Sequence, residues 1–471
     1  MTRAAVVGSG PNGLAGAVVL ARAGLDVTVY EAAAEAGGGT RTSDLTGHGC
    51  LHDHCSAAHP LALGTAFDRE VDLAGAGLRL LRPEVDLAHP LEDGRAAVVA
   101  GSLGSTAAGL GPDGARWRAV FGPLVAGWDA ILDDAMGPLL AVPHHPVTMA
   151  RFGARAALPA AALARVFTTP AARALWAGIA AHAFRPLTEV MSSAIGLTLA
   201  ASAHRPGWVV AEGGSRSITD AMAALLAKAG GRIETGREIR SLAELSGADV
   251  VLLDTAPAAA ARIAGPALPA GVARAYRRWR HGPGAYKLDL VVDGGVPWRA
   301  EAARRAGTVH VGGTIEEIAA AEAAVCAGRM PDRPFVLVGQ QYLADPSRSS
   351  GDLHPVWAYA HVPAGWPGDA TEAILRQLER FAPGTRERIV GIHRRGPAEA
   401  ERVNANYVGG DIVTGANDPR QLLLRPRAAF DPYRTGIPGV YLCSAATPPG
   451  AGAHGMCGWN AAHRALAWLG R

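Results

Sequence analysis

An apolar run, Ala4-Ala5-Val6-Val7, is followed at once by Gly8-Ser9-Gly10-Pro11-Asn12-Gly13, and no other stretch of the chain restricts its fold as tightly. The run reads as a buried strand. Leu14 to Ala23 has helical composition and stops at Gly24, a residue suited to closing a helix. A second strand, Val27-Thr28-Val29-Tyr30, ends at Glu31. Strand, glycine loop, helix, strand and acid in this order form the dinucleotide-binding fingerprint of a parallel βαβ unit. Gly8 makes the tight turn, and Gly10 lets the backbone approach a pyrophosphate at the positive end of the helix. Pro11 and Asn12 belong to the same cofactor-facing loop. Gly13 lets helix and strand pack closely, and Glu31 can bond the ribose hydroxyls of an adenosine.

The same glycine spacing recurs at Gly109-Leu110-Gly111-Pro112-Asp113-Gly114. No β-branched strand leads into it, and Pro-Asp-Gly reads as a turn, so it marks no second nucleotide fold. At 471 residues the chain is too long for one simple core, and two intimately connected domains are expected. A hydrophobic content of 49% with 18% charged residues is that of a globular protein. The net charge of +3 gives no reason to expect a nucleic-acid partner. Arg277-Arg278-Trp279-Arg280 reads as a solvated helix face. The first strand starts at the N-terminus, so no signal peptide is expected, and no apolar stretch is long enough to span a membrane. Five cysteines, an odd number, point to reduced thiols and a cytoplasmic setting.

From Trp117 to about Ala203 the pattern is helical and rich in Ala and Leu. Ile218 to Ala229 reads as a helix, Arg232 to Thr235 as a strand, and Ala248 to Leu253 as a buried parallel strand. After residue 280 the period changes. Ala285–Val292, Thr308–Gly312, Phe335–Gln341 and Val356–Val362 are short strand-like runs that predict a separate, mainly antiparallel sheet. Glu372 to Phe381 reads as a helix. The last stretch is again strand (Val440 to Cys443), Gly-rich loop to Gly458, then helix from Asn460 to Leu469. The expected fold is therefore α/β, with a discontinuous Rossmann-type nucleotide domain (1–95, 205–268 and 405–471). An α+β substrate domain, an antiparallel sheet plus a helical insertion, takes 96–204 and 269–404.

Three segments could carry chemistry. In Gly37-Gly38-Gly39-Thr40-Arg41, consecutive glycines bring N–H groups near phosphate and Arg41 adds charge, so Gly38, Gly39 and Arg41 are candidate cofactor contacts. His48-Gly49-Cys50-Leu51-His52-Asp53-His54-Cys55-Ser56-Ala57-Ala58-His59 is dense in ligating residues. It has three readings: a metal site, a redox dithiol of Cys50 and Cys55, or a wall beside the cofactor and substrate entrance, the last being preferred. The loop from Ser444 to Gly458 carries enough glycine for close backbone approach to a flat ring system, and places His454 there.

Together these motifs resemble the phytoene desaturase-like branch of the FAD-dependent amine oxidase superfamily. The likeness lies in Val7 to Leu14, Gly37 to Thr42, Glu212-Gly213-Gly214-Ser215, Tyr286-Lys287-Leu288-Asp289, and Tyr441 to Ala462. It implies non-covalent FAD and an apolar substrate tunnel ending at the flavin ring. Gly8, Gly10, Gly13 and Glu31 would hold the ADP half, with Gly39 and Arg41 near the pyrophosphate. Ile239 would meet the adenine through its backbone. Ser444 and the Gly455-Met456-Cys457 turn would face the flavin. Two departures stand out: Thr40 intervenes before Arg41, and Asp53-His54-Cys55-Ser56 replaces an Asp-Ala-Gly-Pro segment on the substrate side.

The expected function is desaturation of a hydrophobic small molecule, such as a polyene, isoprenoid or polyketide-like substrate, by hydride transfer to FAD. His59 and His454 are the candidates for substrate-side proton handling. The helical insertion is a candidate for peripheral contact with a membrane surface, by analogy alone. The alternatives are a flavin disulfide reductase using Cys50 and Cys55, and a non-catalytic protein that binds an apolar ligand.

Overall fold

Five short strands make a wholly parallel sheet in the order Val440–Leu442, Val250–Leu253, Arg3–Val7, Asp26–Tyr30, Arg232–Glu234. Their side chains alternate between two buried faces. Ala4, Val6, Val250 and Leu252 join one apolar cluster, with Leu14, Val18 and Ala462 of the helices Pro11–Arg22 and Met456–Trp468. Ala5, Val7, Val251 and Leu253 join another, with Ala260 and Ile263 of the helix Pro257–Ala264. The computed structural model describes residues 1–471, and this sheet confirms the α/β, Rossmann-type class.

The first and last helices touch through glycine. A Cβ at Gly458 would run into the Asn12 carbonyl, and one at Gly16 would come 3.2 Å from the Gly458 carbonyl. This contact explains a difference from expectation at the C-terminus. The last helix begins at Met456, four residues before Asn460, with Gly455 as its N-cap at φ +69°. Gly458 thus sits inside the helix, where its lack of a side chain lets the two backbones meet.

The second sheet has seven strands: Ile389–Arg395, Gly284–Asp293, Leu353–Val362, Val336–Gly339, Ala306–Val311, Val85–Pro90, Ala96–Val99. Every neighbouring pair is antiparallel except Ala306–Val311 with Val85–Pro90. The four strands expected from sequence form its middle. Three more were hidden. Val85–Pro90 carries Asp86 and His89, both buried, which break the apolar pattern. It lies before the expected boundary at residue 95, yet it pairs into this sheet. Ala96–Val99 is short, and Ile389–Arg395 is a half-exposed edge strand with a basic end.

The expected helical stretch is a set of helices, among them Gly114–Ala126, Trp128–Ala135, Pro146–Ala156, Pro170–Ala181 and Ser193–Ala203. The second glycine repeat is a junction between two of them. There the Asp113 carboxylate accepts from the Thr168 N–H at 3.0 Å and the Thr169 N–H at 2.7 Å. No helix is long and apolar enough to cross a membrane.

Overpacking the helix–helix contact tests this arrangement. Gly458→Val is expected to lower stability by about 1–3 kcal/mol, measured as a shift in the urea midpoint. An unchanged midpoint would show that the two ends are not in contact.

Candidate functional site

A cavity of about 1320 Å³ opens at the carboxyl edge of the parallel sheet, where open α/β sheets bind their ligands. It exceeds the roughly 300–1,000 Å³ of ordinary small-molecule pockets. Its walls include Gly8, Gly10, Pro11, Asn12, Glu31, Gly38, Gly39, Arg41, His59, Ile239, Ser444 and His454. Residues scattered through the chain thus meet in one space. Gly13, Gly455, Met456 and Cys457 do not reach its wall.

At the nucleotide end, Gly8 adopts φ +101° and its N–H donates to the Tyr30 carbonyl at 2.8 Å. Gly10 caps the helix Pro11–Arg22 without a capping side chain, no acid lies in the first turn, and Asp254, remote in sequence, takes only the Gly13 N–H. That open positive end suits a phosphate. Gly38 closes the cradle, since a Cβ there would come 3.0 Å from the Gly10 Cα. Glu31 accepts from the Ser9 hydroxyl at 2.6 Å, the Ser9 N–H at 2.9 Å and the Ala33 N–H at 2.9 Å. Ile239 is buried, and neither its N–H nor its C=O has a partner in the chain. The buried Asn12 Oδ1 and Thr255 Oγ1 are also unpartnered. Such orphaned groups beside a glycine cradle fit a dinucleotide. Arg41 is held by the Gly38 carbonyl at 3.0 Å and the Val403 carbonyl at 2.8 Å.

Sequence reasoning missed Asp254, which ends the strand Val250–Leu253 and accepts the Gly13 N–H at 2.9 Å. Burial pushes its carboxyl up, the Gly13 N–H opposes this, and the nearby Glu31 adds to it, leaving it at about 7. Its place at a strand's carboxyl end was the available signal.

At the other end, the Gly-rich loop is clasped from inside. The Met456 N–H donates to His454 Nδ1 at 3.1 Å, which fixes the neutral Nε2–H tautomer. The Cys457 thiol donates to the carbonyls of Gly450 at 3.4 Å and Thr447 at 3.5 Å. Gly455 packs where a Cβ would meet Phe67 and Ala15. So Gly455, Met456 and Cys457 shape the loop from behind the wall instead of facing the cavity. His59 is similarly tied. The Ser215 hydroxyl donates to the Ser56 carbonyl at 2.6 Å and accepts from His59 Nε2–H at 2.9 Å. Burial lowers His59 and His454 to about 4. Two neutral, hydrogen-bonded rings hold structure here; the proton-handling expectation gains no support from their geometry.

The histidine- and cysteine-rich segment is anchored by charge. Asp53 and Arg348, each 1% exposed at the side chain, pair at 2.5 Å. Asp53 also accepts from the Ser215 N–H and the Thr42 hydroxyl, both at 2.7 Å. Burial opposes its charge, but Arg348 and these donors hold the carboxyl below the usual range. Lys287, missed as a site residue, is buried beside Gly39 and Cys55, with Nζ 2.5 Å from the Asp53 carbonyl and from Asp289. Burial pushes the thiols of Cys50 and Cys55 up, so neither is primed as a nucleophile. Cys50 donates to the Leu353 carbonyl at 3.3 Å and is not part of the cavity wall, which leaves a redox dithiol without geometric support.

Beyond the loop the cavity widens into an apolar chamber lined by Phe152, Phe184, Leu199, Trp208, Leu337 and Tyr359. Phe152, Phe184 and Leu199 come from the helical insertion, Leu337 and Tyr359 from the second sheet, and Trp208 from the segment that leads into the strand Val210–Ala211.

Known proteins share this plan. Residues 6–65 match the family model described as an NAD(P)-binding Rossmann-like domain. A rat protein (Rattus norvegicus), pyridine nucleotide-disulfide oxidoreductase domain-containing protein 2, is 34% identical over 93 residues. That stretch covers 20% of this chain and 16% of the rat protein. Putrescine oxidase with putrescine bound superposes with a TM-score of 0.60 at 17% identity, covering 100% of this chain and 99% of that one. Cyclohexylamine oxidase from Brevibacterium oxydans gives 0.58 at 15%, covering 100% of both. An oxidoreductase from Methanosarcina mazei gives 0.61 at 16%, covering 99% and 100%. The fold is thus the one these oxidoreductases share.

Two pH effects follow. His59, His89, His204 and His454 sit at about 4 instead of 6.5. The unfolded chain takes up protons that the fold refuses, so their stability is intact above about pH 6.5 and lost as pH falls toward 4. The urea midpoint should drop across that window; a flat profile would contradict the burial described. Asp254 has the opposite sign, because its raised pKa weakens the fold as pH rises from about 4 to 7. Asp254→Asn keeps an acceptor for Gly13 and should raise the melting temperature more at about pH 8 than at about pH 5. An equal effect at both would refute the assignment. Finally, Arg348→Met leaves Asp53 buried and unpaired, and should cost about 3–5 kcal/mol in chemical denaturation.

Proposed function

We propose that the protein is an FAD-dependent oxidoreductase that desaturates a hydrophobic small molecule. The observation that carries this reading is the continuity of one cavity. It runs from the helix end at Gly10, past the Gly-rich loop at Ser444, into the apolar chamber. Bound FAD supplies a two-electron acceptor for hydride from a substrate C–H bond. The chain's own groups do the rest. Gly10, Gly38 and the positive end of the first helix hold the pyrophosphate, with Arg41 beside it. Glu31 meets the ribose, and the free N–H and C=O of Ile239 meet the adenine edge. Ser444 and the loop clasped by His454 and Cys457 hold the ring. Phe152, Phe184, Trp208 and Tyr359 orient the substrate. With His59 and His454 neutral and engaged, the second hydrogen leaves as a proton to solvent.

The purified protein is expected to show bands at roughly 370 and 450 nm. A hydrophobic substrate added without oxygen should bleach them and yield a product two hydrogens lighter by mass spectrometry. A colourless protein that also fails to take up added FAD would overturn this reading. Gly10→Val thrusts a side chain toward Asp254, 2.8 Å from where a Cβ would stand. It should abolish the bands while far-UV circular dichroism stays unchanged.

A further inference from the structure

Resting on that reading and extending it to the substrate, we infer that Arg425, positioned by Asn417 beside the Gly-rich loop, forms a carboxylate-binding subsite in the cavity wall. The substrate class is then an apolar molecule with a carboxylate at one end.

Arg425 is 4% exposed and lines the cavity. Its Nε donates to the Gln421 carbonyl at 3.2 Å, Nη1 to the Ala445 carbonyl at 3.3 Å, and Nη2 to Asn417 Oδ1 at 3.3 Å. All three are long for a charged donor, whose bonds usually run about 2.7–2.9 Å. A guanidinium has five N–H groups, so one on each of Nη1 and Nη2 has no partner in the chain. No carboxylate pairs with it within 4.0 Å. The nearest acids are engaged elsewhere. Asp411 accepts the Gly282 N–H at 2.8 Å and faces His281, and Asp418 pairs with Arg280 at 2.7 Å. The contrast with Arg348 is direct, since that buried guanidinium is matched by Asp53 at 2.5 Å and Asp345 at 3.0 Å. A buried charge without a counter-charge is costly and calls for one from outside the chain.

Two other residues of the cavity wall bear on this. Asn417 lines the cavity and is fixed by its Nδ2 bond to the Ala183 carbonyl at 3.2 Å, and its own carbonyl accepts from Arg185. Its Oδ1 is thereby turned to Arg425. Thr414 lines the cavity, its buried Oγ1 has no partner, and its backbone stands at φ +57°. That conformation is an outlier for a β-branched residue, and such strain clusters at ligand sites. The other two non-glycine residues with positive φ, Phe184 and Met191, line the same cavity. A carboxylate has lone pairs for both free N–H groups of Arg425. The apolar chamber takes the hydrocarbon, and a cationic amine would meet the guanidinium charge.

The test is a titration of the FAD-loaded protein with dodecanoate and with dodecanol, read by calorimetry and by the flavin bands. Wild type should bind dodecanoate about tenfold or more tightly than dodecanol. Arg425→Gln should erase that preference while leaving dodecanol affinity unchanged, and Arg425→Lys should keep part of it. Should Arg425→Gln fail to fold, Arg425→Met decides, with the preference lost. A wild type that does not discriminate, or a Gln variant that still does, overturns the inference. So does a Gln variant that loses only its flavin, which would assign the guanidinium to the cofactor. If the protein binds no flavin yet prefers dodecanoate, the proposed function fails and the subsite stands. If substrate reduces the flavin but no preference exists, the subsite alone fails.

Discussion

The structure depends on backbones that meet without side chains between them. Gly13 packs on the Gly8 carbonyl and on Asp254, and Gly458 packs on the Asn12 carbonyl. The first contact joins loop, helix and two strands; the second brings the far end of the chain onto the same helix. Because both ends are locked there, the first helix keeps its open N-terminus at the cavity, and the loop from Ser444 to His454 is delivered beside it. Any Cβ at these positions separates elements that must be close for one cavity to exist.

A second constraint is electrostatic. The segment from His48 to His59 has little apolar content to hold it, and it is fixed by the Asp53–Arg348–Asp345 chain and by Lys287. Buried charges of this kind give direction more than net stability. They hold the hairpin of Thr42–Ser43 and His52–Asp53 against the second sheet. The part of the cavity wall formed by Cys55 to His59 is thereby anchored to the second sheet. Where such pairing stops, at Arg425, the chain leaves a charge facing the chamber, and recognition replaces structure as its role.

The legibility of this protein in its sequence follows the range of the interactions. The strand at Arg3–Val7, its glycine loop and Glu31 lie within one βαβ unit, so local pattern was sufficient to place them. The middle strands of the second sheet were legible because a buried strand in that sheet is almost wholly apolar. Val85–Pro90 was not, because Asp86 and His89 are satisfied by distant backbone groups, the Trp208 N–H and the Gly313 carbonyl. The start of the last helix was misplaced because Gly458 breaks a helical pattern, yet is required by contact with a residue more than four hundred positions earlier.

What the sequence determined by itself is the nucleotide end: the residue types that make a cradle are fixed by steric rules acting over a few positions. Tertiary structure alone decided the reactive end. Whether His59 and His454 are free or engaged, whether Met456 faces the ring or a histidine, and whether Arg425 has a counter-charge all depend on groups remote in sequence. Burial keeps both histidines neutral, and burial is a property of the assembled fold.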